Sequence, residues 1–173
     1  MPGLIDAHVH ILGGGGEGGY RTRTPELMLS DALEGGVTTI VGCLGTDGTT
    51  RTMTNLIAKA RGLEEEGIST YIYTGSYQVP VRTLTGNVMD DLILIDKAVG
   101  TGEIAISDHR SSQPSREEFC KDCGRYQSRR HSVGKGRACE HFTWETGRKQ
   151  LSYLRYVLTE TQIPASNMLP THI

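Results

Sequence analysis

Residues 4–10, Leu-Ile-Asp-Ala-His-Val-His, decide how this 173-residue chain is interpreted. Their apolar run predicts a short buried strand, and a glycine run from Gly13 to Gly16 follows it. On a strand, residues i and i+2 share a face, so the imidazoles of His8 and His10 can meet one metal ion. The stretch therefore predicts a strand that ends in a metal-binding pair. The alternative is two solvated histidines at the end of a strand.

The glycine run leads directly to Glu17. Glycine has no Cβ, so the backbone here can approach a ligand closely. However, the loop lacks the GxGxxG and Walker A patterns, which makes phosphate binding a weak interpretation. Local evidence alone favours a flexible connection.

Strand and helix patterns alternate along the rest of the chain. The first helix is expected to begin at Thr24-Pro25-Glu26, because threonine caps helices and proline fits the first helical position. Apolar and amphipathic periodicity predicts strands over 37–44, 68–74, 103–107 and 167–173, and helices over 55–66, 90–98 and 151–158.

The spacing of these strands indicates the fold class. Most strand starts lie 31 to 34 residues apart, whereas the last interval is 65, about twice as long. A further strand is therefore expected near residues 136–143. Strands that alternate with helices at this period predict an α/β fold with a parallel sheet and right-handed crossovers. The pattern fits five or six units of a (β/α)8 TIM-type barrel, which needs about 250 residues to close.

Overall composition excludes several classes of protein. With 18 Lys and Arg against 20 Asp and Glu, the net charge is −2, so nothing directs the chain to nucleic acid. The sequence has neither a membrane-length apolar run nor a signal-peptide pattern. Its four cysteines are too few for a disulfide framework. The expected protein is cytoplasmic, with no membrane or nucleic-acid partner.

Residues 120–150 differ in composition from the remainder of the chain. This window holds eight Lys and Arg against three acidic residues, a net charge of +5, and contains no Leu, Ile or Met. It also holds three of the four cysteines and the one tryptophan, Trp144. We treat residues 120–146 as an anomalous basic segment within a partial hydrolase barrel that spans residues 1–173.

Three accounts of the basic segment remain open. Translation in a shifted reading frame fits it, because codons for Cys120 to Gly124 can be chosen that read Ala-Lys-Ile-Ala-Ala after a one-base shift. A small zinc module is the second account, with Cys120, Cys123, Cys139 and His141 as ligands. Its Cys-x-His pair is tighter than the usual spacing. A disordered basic loop is the third.

Further chemistry-bearing residues lie at predicted strand ends. Glu103 opens the fourth predicted strand, and Asp108-His109-Arg110 follow its end. An acid at such a position can bridge cations, and an arginine fork can clamp a carboxylate. His172, at the end of the last predicted strand, is a third candidate metal ligand. Each of these residues taken alone is more typical of a surface ion pair.

Taken together, five blocks of the chain resemble the isoaspartyl (β-aspartyl) dipeptidases, metallopeptidase family M38 of the amidohydrolase superfamily. The combination is far more specific than any one of its parts. The blocks are PGLIDAHVHILGGGGEGG (2–19), EGGVTTIVGCLGTDG (34–48), EEGISTYIYTGSYQVPVRTLTG (65–86), GEIAISDHRSSQP (102–114) and LPTHI (169–173).

This resemblance implies an amidohydrolase barrel whose two Zn²⁺ ions activate a hydroxide that cleaves the isopeptide bond of β-aspartyl dipeptides. His8 and His10 would hold the more buried zinc, and His172 would ligate the second. Glu103 falls where the family has a bridging ligand, either a carboxylated lysine or a glutamate.

The resemblance also implies roles in substrate binding. Glu17 would meet the α-amino group of the dipeptide, with Gly15 and Thr46 nearby. Tyr77 would polarise the scissile carbonyl, and Arg110 would bind a substrate carboxylate. Family members of full length also suggest a homo-oligomer.

Three departures from the family pattern predict a weakly active or inactive form. The chain starts at the first barrel strand, without the family's preceding β-rich segment. The general-base aspartate falls beyond residue 173, and Thr143 occupies the place of another zinc histidine. The alternative functions are a dihydroorotase- or hydantoinase-like cyclic amidase and a non-catalytic zinc module at Cys120 to His141.

Overall fold

A computed structural model describes residues 2–106, 108–133, 139–143 and 151–171 of the chain. Six strands form one sheet in the order β1 to β6, and every neighbouring pair is parallel. The strands are β1 (Leu4–Val9), β2 (Val37–Gly42), β3 (Ser69–Thr74), β4 (Ala98–Ala105), β5 (Cys139–Thr143) and β6 (Met168–Thr171).

Five α-helices connect these strands. They are α1 (Leu29–Glu34), α2 (Met53–Glu65), α3 (Val88–Leu94), α4 (Arg116–Val133) and α5 (Leu151–Glu160). Strand–helix alternation in a parallel sheet confirms the predicted α/β class and a partial TIM-type barrel. Strand β5 also lies where the spacing predicts a further strand. In the parts of the chain described above, no helix is both long and apolar enough to cross a membrane.

The main hydrophobic core lies between the sheet and helix α2. Thr52 caps this helix, because its side chain accepts a hydrogen bond from the amide of Asn55. Leu56, Ala60 and Leu63 recur at helical spacing and are fully buried in this core. Burying one leucine side chain contributes about 2 kcal/mol, so this face of α2 anchors the first three strands.

A second core covers the other half of the sheet. Ile104 and Ile106 lie at the end of β4 and pack with Phe119 and Cys123 of α4 and with Val157 of α5. Cys123 is fully buried there. The first half of α4 therefore contributes to the fold, although its composition belongs to the anomalous segment.

The prediction that residues 4–10 form a buried strand is half correct. The strand forms, but Leu4 is 62% exposed and Ile5 is 71% exposed. Among the described strands, β1 pairs only with β2, so it is an edge strand of the described sheet. Its first residues are therefore exposed. Burial begins at His8 and Val9, where the strand approaches the site.

The predicted start of the first helix at Thr24 is wrong. Helix α1 begins at Leu29 after the N-cap Met28. The preceding residues instead bond to the glycine loop: the Thr24 amide donates to the carbonyl of Gly14 at 3.0 Å, and the Leu27 amide donates to that of Ile11 at 3.0 Å. These contacts hold the backbone away from the helical path.

The boundary between helix α3 and strand β4 also differs from the prediction, which placed a helix over residues 90–98. Helix α3 ends at Leu94, and Ala98, predicted to be helical, is the first residue of β4. Glu103 therefore lies within the strand and does not open it. The carboxyl ends of β1, β2, β3 and β4 meet at one edge of the parallel sheet, which is where α/β barrels carry their sites.

Candidate metal centre and adjoining cleft

Two histidines and one carboxylate meet at the carboxyl edge of the sheet. His8 lies near the end of β1 and His10 directly after it, whereas Glu103 comes from β4. Oε2 of Glu103 lies 3.5 Å from Nε2 of His8 and 3.6 Å from Nε2 of His10. The two rings are 5.6 Å apart at an interplanar angle of 85°. The fold thus brings together three residues that the sequence analysis selected as metal ligands.

The environment of Glu103 fits a metal ion. Its side chain is only 8% exposed, and its Oε2 atom has no hydrogen-bond donor among the described residues. Leaving a buried carboxylate oxygen without a donor is costly. A divalent cation between Oε2 and the two Nε2 atoms would remove that cost, because imidazole and carboxylate are ordinary ligands of such ions.

Cys43 is a fourth donor that sequence reasoning missed. It follows β2 directly, is 1% exposed, and places its Sγ atom 3.5 Å from Nδ1 of His10. Burial, together with the nearby carboxylates of Glu103 and Asp6, raises the pKa of this thiol well above its usual value. The signal was available, since Cys43 falls near the end of the strand predicted over residues 37–44, which neighbours β1.

Gly45 is a second residue that the sequence analysis did not select. Its φ of +73° is a conformation that other residues rarely adopt. A Cβ at this position would lie 2.6 Å from Cε1 and 2.9 Å from Nδ1 of His10. Glycine is therefore required here for two reasons, the backbone conformation and the space taken by the His10 ring.

The glycine loop is fixed by hydrogen bonds, so the local interpretation as a flexible connection is wrong. Arg51, which is 3% exposed, donates from Nε to the carbonyl of Leu12 at 2.9 Å and from Nη2 to that of Gly14 at 2.8 Å. The side chain of Thr24 accepts a bond from the Gly14 amide at 2.6 Å. The buried guanidinium of Arg51 thus holds in place a loop whose glycines have no side chains to pack.

Asp47 connects this loop to the turn after β2. Its carboxylate accepts the guanidinium of Arg23 at 2.5 Å and the amides of Thr49 and Thr50 at 3.1 and 2.8 Å. Burial alone would raise the pKa of Asp47, but the bonds from Thr50 and Arg23 outweigh it and hold the pKa well below its usual value. Asp47 is therefore ionised across the physiological range.

A cleft of about 560 Å³ opens between the glycine loop and the turn after β2. Three of its lining residues are linked: Oε1 of Glu17 accepts a bond from Thr46 at 3.0 Å and lies 3.2 Å from the guanidinium of Arg110. A bond from its own backbone amide, followed by the Thr46 bond, lowers the pKa of Glu17. Gly15, also selected from the sequence, lines the same cleft. The fold therefore gathers the four predicted substrate-binding residues around one space.

Tyr77 and Arg110 share one partner, Asp108. Arg110 donates to both carboxylate oxygens of Asp108, at 2.9 Å from Nε to Oδ1 and 2.5 Å from Nη2 to Oδ2. The hydroxyl of Tyr77 donates to the same carboxylate. The Arg110 fork holds the pKa of the buried Asp108 well below its usual value, and Asp108 in turn raises the pKa of Arg110. The sequence analysis noted Asp108 only as a strand-end residue and missed this organising role.

Comparison with solved structures places this geometry in a family. Two crystal structures of the β-aspartyl dipeptidase of the thermophilic keratin-degrading bacterium Fervidobacterium islandicum AW-1 match 99% of this chain, at 54% and 55% identity. Their TM-scores are 0.95 and 0.94. The chain belongs to the isoaspartyl dipeptidase family. It spans 46% of the length of both dipeptidase chains.

A more distant structure shares the fold alone. A TatD-family hydrolase of Entamoeba histolytica matches 90% of this chain and 54% of its own length, at 16% identity and a TM-score of 0.50. A scan against protein-family models gave no match. Assignment to the isoaspartyl dipeptidases therefore depends on the two structures at more than 50% identity.

Membership of this family and the histidine–carboxylate cluster together support a metal cofactor. His172, which the sequence analysis named for the dipeptidase site, lies outside the described residues, and so does the side chain of Thr143. The side chains of Cys139 and His141, named for the alternative zinc module, also lie outside them. Cys120 and Cys123, the first pair of the alternative zinc module, both lie on α4, with Cys123 inside the second core.

Proposed function

We propose that this chain carries metal-ligating and substrate-binding residues of a hydrolase that cleaves the isopeptide bond of β-aspartyl dipeptides, with Zn²⁺ as the metal. One Fervidobacterium relative was crystallised with a β-Asp-Leu dipeptide, and 99% of this chain aligns with it at 54% identity. The observation that carries the proposal is the meeting of His8, His10 and Glu103 around a buried carboxylate oxygen that lacks a donor.

His8, His10 and Glu103 would hold one zinc ion, and Glu103 would share its carboxylate with a second ion that His172 ligates. A divalent ion in such a site polarises a carbonyl and makes water more acidic. A carboxylate shared by two such ions would also reduce their mutual repulsion, which is strong in a site of low dielectric constant.

Glu17 would recognise the free α-amino group that a β-linked aspartate keeps. Its lowered pKa ensures a negative charge at neutral pH, and its position in the cleft exposes 42% of the side chain. The hydroxyl of Thr46 holds one oxygen, Oε1, and so fixes the direction of the carboxylate. An ammonium group would then meet a preorganised acceptor.

Arg110 would bind a substrate carboxylate. Two of its nitrogens are held by Asp108, whereas Nη1 faces Glu17 and the cleft. A guanidinium fixed on one side by a buried carboxylate still has donors for a second carboxylate on the other. Binding of a zwitterionic dipeptide would replace the Arg110–Glu17 contact with one contact to each end of the ligand.

Tyr77 would polarise the scissile carbonyl by donating a hydrogen bond from its hydroxyl to the carbonyl oxygen. Its hydroxyl donates to Asp108 and its ring is 2% exposed. Donation to substrate therefore requires the hydroxyl to turn from Asp108 to the carbonyl. Because Asp108 stays paired with Arg110, this exchange leaves no buried charge without a partner.

The proposal is tested with matched dipeptides and the zinc-loaded chain. β-Asp-Leu and α-Asp-Leu share composition and charge and differ only in linkage, so calorimetric binding and leucine release are measured for both. We expect binding, with slow release, for β-Asp-Leu alone, and loss of both with a chelator or with Glu17→Gln. Equal behaviour of the two linkages, or turnover of dihydroorotate or hydantoin instead, would contradict the proposal.

A further inference from the structure

The metal cluster contains one donor that the preceding proposal does not use. Ligand atoms of His8, His10, Cys43 and Glu103 all lie within 4.8 Å of one another, and these four form the one such group among the described residues. Donors around one Zn²⁺ ion lie about 2.0 to 2.3 Å from it, which places them about 3 to 4 Å from each other. Small side-chain shifts would bring all four into one coordination shell.

We propose that Cys43 is a thiolate ligand of this metal centre, which makes the site selective for soft divalent ions such as Zn²⁺ and Cd²⁺ over hard ones such as Mn²⁺. This inference depends on the metal site of the proposed function and goes beyond the ligand set derived from the resemblance. It assigns a role to a cysteine that packing alone does not explain.

Two observations distinguish Cys43 from a buried cysteine of the core. Its flank packs against Val41 and Tyr73, but its Sγ atom points to the polar side, 3.5 Å from Nδ1 of His10. Independently, the cluster holds a carboxylate oxygen that is buried without a donor, Oε2 of Glu103. An apolar pocket for a structural thiol would not contain such an atom, whereas a cation site does.

Charge balance also favours a thiolate once the ion is present. A bound dication would favour the thiolate form of Cys43, because it would place a positive charge beside the sulfur, and the thiol proton would pass to solvent. Because the two imidazoles are neutral ligands, a thiolate at Cys43 would lower the net positive charge that bound dications leave in the buried site.

The two nitrogens of His10 define the competing arrangement. Nε2 faces Glu103, and Nδ1 faces Cys43. If the ion binds through Nε2 and the sulfur stays outside the shell, Nδ1–H donates to Sγ, and Cys43 only orients the ring. This arrangement predicts no bond between sulfur and metal, so spectroscopy separates it from the proposal.

The deciding experiment is titration of the chain with Cd²⁺ and Co²⁺, followed by ultraviolet and visible absorption. We expect a thiolate-to-metal charge-transfer band with wild type and with Cys120→Ser. The band should vanish in Cys43→Ser, and also in Glu103→Gln if the thiolate shares the predicted centre. Cd²⁺ affinity should fall about tenfold or more in Cys43→Ser, with a much smaller change for Mn²⁺.

The outcomes separate this inference from the proposed function. Tight Cd²⁺ binding that needs Glu103 and gives no charge-transfer band overturns the role of Cys43 and leaves the metal site intact. If the band is lost in Cys120→Ser and kept in Cys43→Ser, the thiolate comes from the basic segment, and the proposed role of Cys43 is overturned. Failure of wild type to bind any of the ions overturns both. Circular dichroism and a second variant, Cys43→Ala, distinguish loss of the ligand from loss of the fold.

Discussion

The backbone of Gly45 lies against the imidazole of His10, so close that a Cβ there would be 2.6 Å from Cε1 of the ring. The turn after β2 therefore determines where a histidine after β1 can point. Cys43 and Gly45 are separated by one residue in the sequence, and both lie against His10. The metal site thus depends on the β2 turn as much as on the two histidines.

Gly45→Ala should weaken metal binding about tenfold or more, because the ring of His10 must move and the backbone conformation is strained. Isothermal titration with Zn²⁺ measures the affinity, and thermal unfolding reports the cost in stability. Gly62→Ala is the matched control, since Gly62 lies within α2 with open space around it. It should add about 0.5 to 1 kcal/mol of stability and leave Zn²⁺ affinity unchanged. Unchanged affinity in Gly45→Ala would show that His10 does not ligate.

Asp108→Asn should lower the free energy of unfolding by about 2 kcal/mol at pH 7, through loss of charged hydrogen bonds to Arg110. Since the pKa of Asp108 is depressed in the folded chain, its contribution is fully present above the unfolded pKa of about 3.9. It is lost as pH falls below that value toward the folded pKa. The free energies of unfolding of wild type and Asp108→Asn, measured with urea at several pH values, should converge under acid conditions.

Asp96→Asn serves as the control for this pH series. Asp96 is 65% exposed and pairs with Arg61 at the surface, so its loss should change stability by less than about 0.5 kcal/mol. If the difference in free energy of unfolding between wild type and Asp108→Asn stayed constant at all pH values, Asp108 would stabilise the fold through packing and not through its charge.

Arg51→Lys should loosen the glycine loop. Lysine keeps the charge but cannot donate along the separate directions that reach Leu12 and Gly14, so we expect a loss of about 2 kcal/mol. Limited proteolysis should then cut within residues 13–19 faster than in wild type. The exposed Arg61→Lys should have no such effect, and equal cleavage in both variants would contradict the role of Arg51.

Cys123→Ser tests the alternative zinc module. Because Cys123 is fully buried among Phe119 and Val157, a hydroxyl there should cost about 1 to 3 kcal/mol without changing the number of zinc ions bound. Cys120→Ser, at a less buried position on the same helix, should cost less. Zinc stoichiometry from atomic emission, measured alongside urea unfolding, decides the matter: loss of one zinc in both variants would support the module.

Sequencing the gene across codons 110–150 tests the shifted reading frame. We expect two compensating single-base changes, one near each end of the segment, whose reversal restores an Ala- and Ile-rich helix and a His-containing strand and keeps residues 151–173 in frame. An intact frame would mean that the basic composition of residues 120–146 is native to this chain.

Local patterns in the sequence determined the fold class, because strand and helix periods at 31 to 34 residues leave few alternatives to a parallel α/β barrel. They also selected His8, His10 and Glu103, since metal ligands need particular side chains near strand ends. The burial of β1 depends on which strands pair with it. The start of α1 depends on backbone hydrogen bonds to the glycine loop. These depend on residues distant in sequence.

Tertiary structure alone decided the surroundings of the site. The sequence does not show what Cys43, Gly45, Arg51 and Asp108 contact. Each acts through a residue on another segment: Cys43 and Gly45 on His10, Arg51 on the glycine loop, and Asp108 on Tyr77. A sequence pattern records which side chains are present at a strand end, but their distances, burial and charges exist only once the strands are side by side.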